Sequence, residues 1–213
     1  MSLVVETFVV GPARENCYVV RATSSAPEAV VVDPGDDAAQ LRIALARTGA
    51  SCAAILVTHC HWDHLGAVAD LAEATGAPVY MARDEAPVLE SPDDFYGSLG
   101  IRIRPYAPDT LLAGDERFEL AGIEFETLTV PGHSPAHLAY LADGCLFSGD
   151  VLFAGGVGRV DLPGGDWETL VESIRYLMDT FPPETVVYPG HGPRTTLGAE
   201  LARNPFLREL RAS

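Results

Sequence analysis

The chain contains no lysine. All 14 of its cations are arginine, set against 30 acidic residues, for a formal net charge of −16. Such an excess repels phosphate backbones at long range, which excludes the nucleic-acid-binding classes. No apolar run approaches the ~20 residues of a membrane span. Met1 to Val10 lacks both a basic segment and a small-residue cleavage site, so no signal peptide is read and a cytoplasmic location is expected. The four cysteines, Cys17, Cys52, Cys60 and Cys145, have no paired spacing, which predicts reduced thiols and excludes a disulfide framework. Low-complexity tracts and linkers are also missing. With 47% hydrophobic residues the sequence is that of a folded protein, and residues 1–213 are expected to form one domain.

What is present is an alternation of strand and helix signals. Leu3 to Val10 and Asn16 to Arg21 read as strands around a Gly11-Pro12 turn. Ala29 to Val32 and Ala53 to Val57 are short apolar runs of buried-strand type. Asp36 or Asp37 is expected to cap a helix carrying Leu41, Ala44, Leu45 and Thr48 and stopping at Gly49. A second helix carries Val68, Leu71, Ala72 and Thr75. Pro78 to Met81 reads as a strand and Asp84 to Leu89 as a short helix. Residues 91–110, rich in proline and aromatics, read as an irregular stretch: either a substrate loop or a plain connection. The second half restarts with a strand over Gly122 to Val130 and a hairpin of His137 to Leu141 and Cys145 to Ser148 around Asp143-Gly144. An amphipathic helix from Trp167 to Phe181, a strand from Thr185 to Tyr188 and a helix from Leu197 close the chain. Strands followed by helices in both halves predict an α/β architecture with two sheets face to face and helices outside.

Three of the six histidines fall within Thr58-His59-Cys60-His61-Trp62-Asp63-His64, directly after a buried strand. One histidine there would read as an ordinary hydrogen-bonded residue. Three with an aspartate predict a metal site, because imidazole and carboxylate are the usual ligands. His59 and His61 flank a single residue and share one side of an extended segment, so Cys60 points to the opposite side and is read as structural. A turn into helix at Asp63 aims Asp63 and His64 at a neighbouring point, which argues for two ions. His-x-His-x-Asp-His after an apolar strand resembles the signature of the metallo-β-lactamase superfamily. The resemblance implies a four-layer αββα sandwich of two mixed sheets flanked by helices.

Three further strand ends carry suitable side chains: Gly132-His133, Gly149-Asp150 and Gly190-His191. His133 would complete the first metal and His191 the second, with Asp150 bridging. His137 is read as supporting or structural, not as a ligand. Asp33, at the end of the strand beside the one that delivers the histidines, is either a turn residue or a hydrogen-bond partner of a ligand. The stretches Gly149 to Asp166 and Pro189 to Gly198, with Asn204-Pro205-Phe206-Leu207, resemble compact glyoxalase II-type hydrolases that lack a C-terminal helical domain.

That resemblance implies a zinc-dependent thioester hydrolase with two Zn²⁺ ions, iron or manganese being possible in one or both sites. Asp63 and Asp150 are the catalytic carboxylates, and a metal-bridging hydroxide attacks an S-(2-hydroxyacyl)glutathione. The expected partner is a small-molecule thioester, for a monomer or homodimer. Arg159 matches a basic carrier-binding position of the family, with a salt bridge to a carboxylate as its alternative role. Asp161 and Pro193 stand where the larger enzymes carry tyrosines. Competing readings are a mononuclear-iron persulfide dioxygenase and a non-catalytic binding protein on the same fold. A β-lactamase is disfavoured because the zinc β-lactamases are exported.

Overall fold

Alternation of side chains along the apolar strands decides the layering. In a computed structural model that describes residues 3–208 and Leu210, Val19, Val31 and Ile55 face one apolar cluster, while Val20, Val30, Val32 and Leu56 face another. A strand can serve two cores only if its sheet is covered on both faces.

The first sheet orders β1 (Val4–Val10), β2 (Glu15–Arg21), β3 (Glu28–Val32), β4 (Ser51–Leu56), β5 (Val79–Ala82) and β6 (Thr110–Leu112) from edge to edge. β1, β2 and β3 pair antiparallel, and β3 to β6 pair parallel. The parallel steps need crossovers, supplied by α1 (Ala38–Thr48), α2 (Trp62–Leu65), α3 (Val68–Thr75), α4 (Ala86–Glu90) and α5 (Pro92–Tyr96). The second sheet is built from β7 (Arg117–Leu120), β8 (Ile123–Thr129), β9 (Leu138–Ala142), β10 (Cys145–Gly149), β13 (Val186–Pro189) and β14 (Thr195–Thr196), in the order β14-β13-β10-β9-β8-β7. β11 (Leu152–Phe153) and β12 (Gly156–Val157) form a small separate ribbon. Helices α6 (Trp167–Thr180) and α7 (Leu197–Arg203) follow it in the chain.

Three cores separate four layers. Leu41 and Leu45 of α1 and Val68, Leu71 and Ala72 of α3 cover the outer face of the first sheet. Between the sheets, Tyr18, Val32 and Leu56 meet Phe125, Tyr140 and Phe147. Leu170, Ile174 and Leu177 of α6 and Leu197 of α7 cover the second sheet through Leu128, Ala139 and Leu146. Each fully buried side chain of this size stabilises the fold by ~1.5–3 kcal/mol. This is the four-layer αββα sandwich that the resemblance implied.

The structure corrects several local expectations. Neither Asp36 nor Asp37 caps α1 with its side chain. Asp37 stands at the N-cap position with φ 55°, and its Oδ2 accepts from the Gly11 N–H at 3.3 Å instead. Residues 91–110 are not irregular throughout: α5, a 3₁₀ turn over Gly97–Leu99 and the start of β6 occupy much of the stretch. The strand expected from Gly122 begins at Ile123, because Ala121 and Gly122, at φ 53° and 71°, form the two-residue turn of a β7–β8 hairpin.

Candidate functional site

The chain ends of β3, β4, β8, β10 and β13 meet along one edge of the sandwich, where hydrogen bonds cross between the sheets. Leu138 N–H donates to Thr58 O (2.9 Å), Asn16 N–H to Gly190 O (2.7 Å), and the Tyr18 and Tyr140 hydroxyls to Pro189 O (2.6 Å) and Val57 O (2.8 Å). All seven predicted ligand side chains lie along this edge.

They fall into overlapping groups. One is His59, His61 and His133; another is Asp63, His64 and His191; a third joins His59, His64 and Asp150. Within each group the donor atoms lie within 4.8 Å of one another. Asp150 spans the first two: Oδ1 is 3.5 Å from His64 Nε2, and Oδ2 is 3.5 Å from both His133 Nε2 and His191 Nε2. Two glycines make room. A Cβ on Gly190 would strike Asp150 Oδ1, and one on Gly149, at φ 48°, would strike Thr58 and His137.

The donors fit a pair of cations. His133 donates from Nδ1 to the Arg159 carbonyl (2.7 Å), leaving the Nε2 lone pair directed at His61 Nδ1, 2.7 Å away. His61 Nδ1 also lies 3.1 Å from His59 Nε2. Burial, with neighbouring imidazoles, holds His59 well below its ordinary pKa and His61 at about 4, and burial lowers His133. A neutral His61 has at most one Nδ1–H to share between His133 Nε2 and His59 Nε2, whereas a cation between the three nitrogens would accept all three lone pairs. In the other group, buried His64 Nε2 and Asp150 Oδ1 have no hydrogen-bond partner, a costly state for buried polar atoms without a ligand. Burial opposes charge on both residues but is outweighed: Asp33 and Asp150 raise His64, and His64 first among its neighbours lowers Asp150. Asp63 Oδ2 accepts from His191 Nε2 at 3.2 Å; against the burial of each, the pair lowers the carboxyl and raises the imidazole.

Supporting groups fix these rings. Asp33 is a hydrogen-bond partner rather than a mere turn residue. Oδ1 accepts the Thr58 N–H (2.7 Å), while Oδ2 accepts the Thr58 hydroxyl (2.7 Å) and His64 Nδ1–H (2.9 Å). His137 stacks on His59 with ring centroids 4.6 Å apart, and its Nε2 accepts the Asp150 N–H at 3.2 Å. Two carboxylates were not foreseen. Glu85, buried, accepts the Cys60 N–H on Oε2 (2.6 Å) and the Ala136 N–H on Oε1 (2.9 Å), joining the loop of His59 and His61 to the loop of His133. Glu15, fully buried 3.9 Å from His64 Nδ1, has no partner on either oxygen, and burial pushes its pKa up. Neither belongs to a motif. Their only sequence signal is an acid next to a strand.

Cys60 packs against the core under the first sheet, as expected of a structural residue. Burial, then Glu85, pushes its thiol far up, away from the thiolate form. All four cysteines are free. Among the described residues no helix is long and apolar enough to cross a membrane.

A cavity of about 600 Å³ opens over the cluster, reaching His61, Asp63, His133, Asp150 and His191. Trp62, Phe95, Tyr96, Leu99 and Phe153 are among its walls, so part of the 91–110 stretch does face the site. The Tyr96 hydroxyl, bonded to Cys60 O at 2.7 Å, ties α5 to the histidine loop. Arg159 also lines the cavity, with its guanidinium forked on Asp161 at 2.6 and 2.7 Å. A second cavity of about 420 Å³, among Leu3, Ala22, Ile123 and Leu141, reaches none of the metal-type clusters.

Comparison with known proteins agrees with this architecture. The sequence profile described as the metallo-beta-lactamase superfamily matches residues 10–191. A protein of Bacillus subtilis named probable metallo-hydrolase YqgX is 38% identical over 93% of this chain and 94% of its own. The hydroxyacylglutathione hydrolase GloC of Haemophilus influenzae is 33% identical over 95% of this chain and 97% of its own. Among solved structures, the BLEG-1 B3 metallo-beta-lactamase superposes with TM-score 0.90 at 37% identity, covering 96% of this chain and all of that one. The protein TTHA1623, solved in a di-iron-bound form, superposes with TM-score 0.84 at 43% identity, covering 95% and 100%. With a superfamily profile spanning most of its length and relatives matched nearly end to end, this chain belongs to the metallo-β-lactamase superfamily, whose fold binds divalent metals.

Proposed function

We propose that residues 1–213 act as one domain, a binuclear metal-dependent hydrolase of 2-hydroxyacyl thioesters. The observation that carries the reading is the grouping of seven donors around a shared aspartate. His59, His61 and His133 would hold one ion and Asp63, His64 and His191 the other, with Asp150 between them. The thioester class is taken from the 33%-identical relative named a hydroxyacylglutathione hydrolase. Zinc suits the nitrogen-rich donor set; iron is the second choice, given the di-iron form of the 43%-identical structure.

Bound divalent ions supply Lewis acidity, which polarises a carbonyl and lowers the pKa of water. The chain's own groups do the rest. The hydrogen bond from His133 Nδ1 to the Arg159 carbonyl fixes the tautomer that leaves Nε2 free to ligate, and Asp33 does the same for His64. Asp150 and Asp63 are the catalytic carboxylates, since both face the cavity beside the donor histidines. Their negative charge in a partly buried site favours a positively charged group between them. The apolar walls exclude bulk water from a bound acyl group.

The test combines elemental analysis of metal-replete protein with thiol release from S-lactoylglutathione and simpler S-lactoyl thioesters. The expected result is close to two metals per chain and hydrolysis of at least one thioester. One metal per chain with every donor intact, or O₂ uptake with glutathione persulfide and no thioester cleavage, overturns the reading. A second reading, β-lactam hydrolysis, is favoured by the name of the 37%-identical structure; turnover of a chromogenic cephalosporin without thioester cleavage would put it first.

A further inference from the structure

The proposed substrate class leaves open what the thiol half carries, and the cavity bears on that. Among the described residues that line it, Arg159 is the only guanidinium. Its Nε and Nη2 donate to the two oxygens of Asp161, at 2.6 and 2.7 Å, the planar fork-to-carboxylate geometry that uses both faces of the match. The pair is internal to one short segment, two residues apart. That segment is tied to the site because the Arg159 carbonyl accepts from His133 Nδ1. The only arginine among the described lining residues is therefore already matched by a carboxylate of the chain. Away from His61, Asp63, His133, Asp150 and His191, the wall is largely apolar: Phe95 and Leu99 come from the 91–110 stretch, and Phe153, Val157 and Leu162 come from the segment that leads up to and past Arg159. Phe95 and Leu99 are 50% and 69% exposed, so apolar surface faces the solvent side of the cavity as well. A carboxylate or phosphate on the thiol half, held away from the metal-type donors, would meet a guanidinium that Asp161 already neutralises, on a chain of formal net charge −16.

Resting on the thioesterase reading, we propose that the Arg159–Asp161 pair sets selectivity by charge. It directs the cavity to thioesters whose thiol half is uncharged and apolar, and against anionic carriers such as glutathione. Asp161 is the determinant, because it withholds the guanidinium from an incoming anion. Opposed to this is the family role of Arg159 as a direct contact of the carrier.

The test uses two substrates of one skeleton, S-lactoyl-N-acetylcysteine and its methyl ester, which differ by a single carboxylate. Both are assayed by thiol release on the metal-replete protein and on Asp161→Asn. Ionic strength is held at about 0.15 M, where a screening length of ~8 Å damps the distant charges of the chain more than the contact with Asp161. Asp161 is 68% exposed, so the substitution does not threaten the core. Wild type is expected to give a higher kcat/KM for the neutral ester. Asp161→Asn is expected to raise the relative kcat/KM for the acid by about fivefold, the upper end for an exposed charge pair, through KM and not kcat. A wild-type preference for the acid, or a ratio that Asp161→Asn leaves where it was, overturns the proposal while leaving the thioesterase reading intact. Cleavage of neither substrate nor of S-lactoylglutathione overturns both.

Discussion

Asp33 and His191 stand at opposite ends of what a residue's place in the sequence can reveal. His191 lies in a Pro-Gly-His stretch at the end of a buried strand, and type and position together mark it as a candidate ligand. Its role can be tested singly. His191 Nε2 lies 3.2 Å from Asp63 Oδ2 and 3.5 Å from Asp150 Oδ2, and the ring is partly exposed. His191→Ala should therefore fold, lose about one metal per chain by elemental analysis, and cut thioester hydrolysis by on the order of 10²-fold, as loss of a main electrostatic group does. Full activity with one metal lost would favour a mononuclear enzyme. The candidate ligands were legible because four sit within six residues of chain and the other three each follow a glycine at a strand end. Asp33 was half legible: its strand was clear, but its three hydrogen bonds depend on how β3 registers against β4. Glu15 and Glu85 were not legible, since their meaning comes only from what packs against them. In sequence, a buried acid and a surface acid look alike.

The elements that hold the site are loops, and one buried carboxylate ties two of them together. Glu85 follows β5, yet its carboxylate joins the backbone between His59 and His61 to the backbone next to His137. Glu85→Gln keeps the volume and one acceptor but turns an amide N–H₂ toward one of the two N–H donors. That variant should weaken metal at His59, His61 and His133 by about 10- to 100-fold, the usual cost of losing a supporting contact. The site of Asp63, His64 and His191 should hold its affinity. Cobalt titration followed by visible absorption resolves the two steps, and an equal loss at both would mean general destabilisation instead. Element boundaries in the first half were readable from apolar runs and glycine stops. β6 and β7 were missed for physical reasons. They are edge strands of three and four residues; Arg117-Phe118-Glu119-Leu120 alternates, but over a run too short to stand out, and the pairing of both is decided by β5 and β8. The 91–110 stretch hid a helix because Pro92 and the acids after it read equally well as a turn.

At the scale of the whole molecule, the site is a seam. His59, His61, Asp63 and His64 come from the end of β4 in the first sheet, and His133, Asp150 and His191 from the ends of β8, β10 and β13 in the second. Hydrogen bonds cross at this edge, as at Thr58–Leu138 and Asn16–Gly190, but the polar cluster beside them is less well satisfied. His64 Nε2, Asp150 Oδ1 and both oxygens of Glu15 are buried without partners there. Elsewhere the two sheets are joined by the packing of Tyr18, Phe125, Tyr140 and Phe147, which needs no ligand. The protein should thus fold without metal, with its weakest seam at the ligand edge. Metal that binds only the folded state stabilises it by about 2.7 kcal/mol at a free concentration 100 times its Kd. For a chain of 213 residues each kcal/mol is worth roughly 2–4 °C. Chelation should accordingly lower the melting temperature by about 5–10 °C, and hydrogen exchange should rise at residues 58–64, 131–137 and 189–192 before it rises in the three cores. A melting temperature that chelation does not move would mean that the cluster holds no ion in the folded protein, and uniform exchange throughout the chain would mean that the metal is required for the fold and not only for the seam.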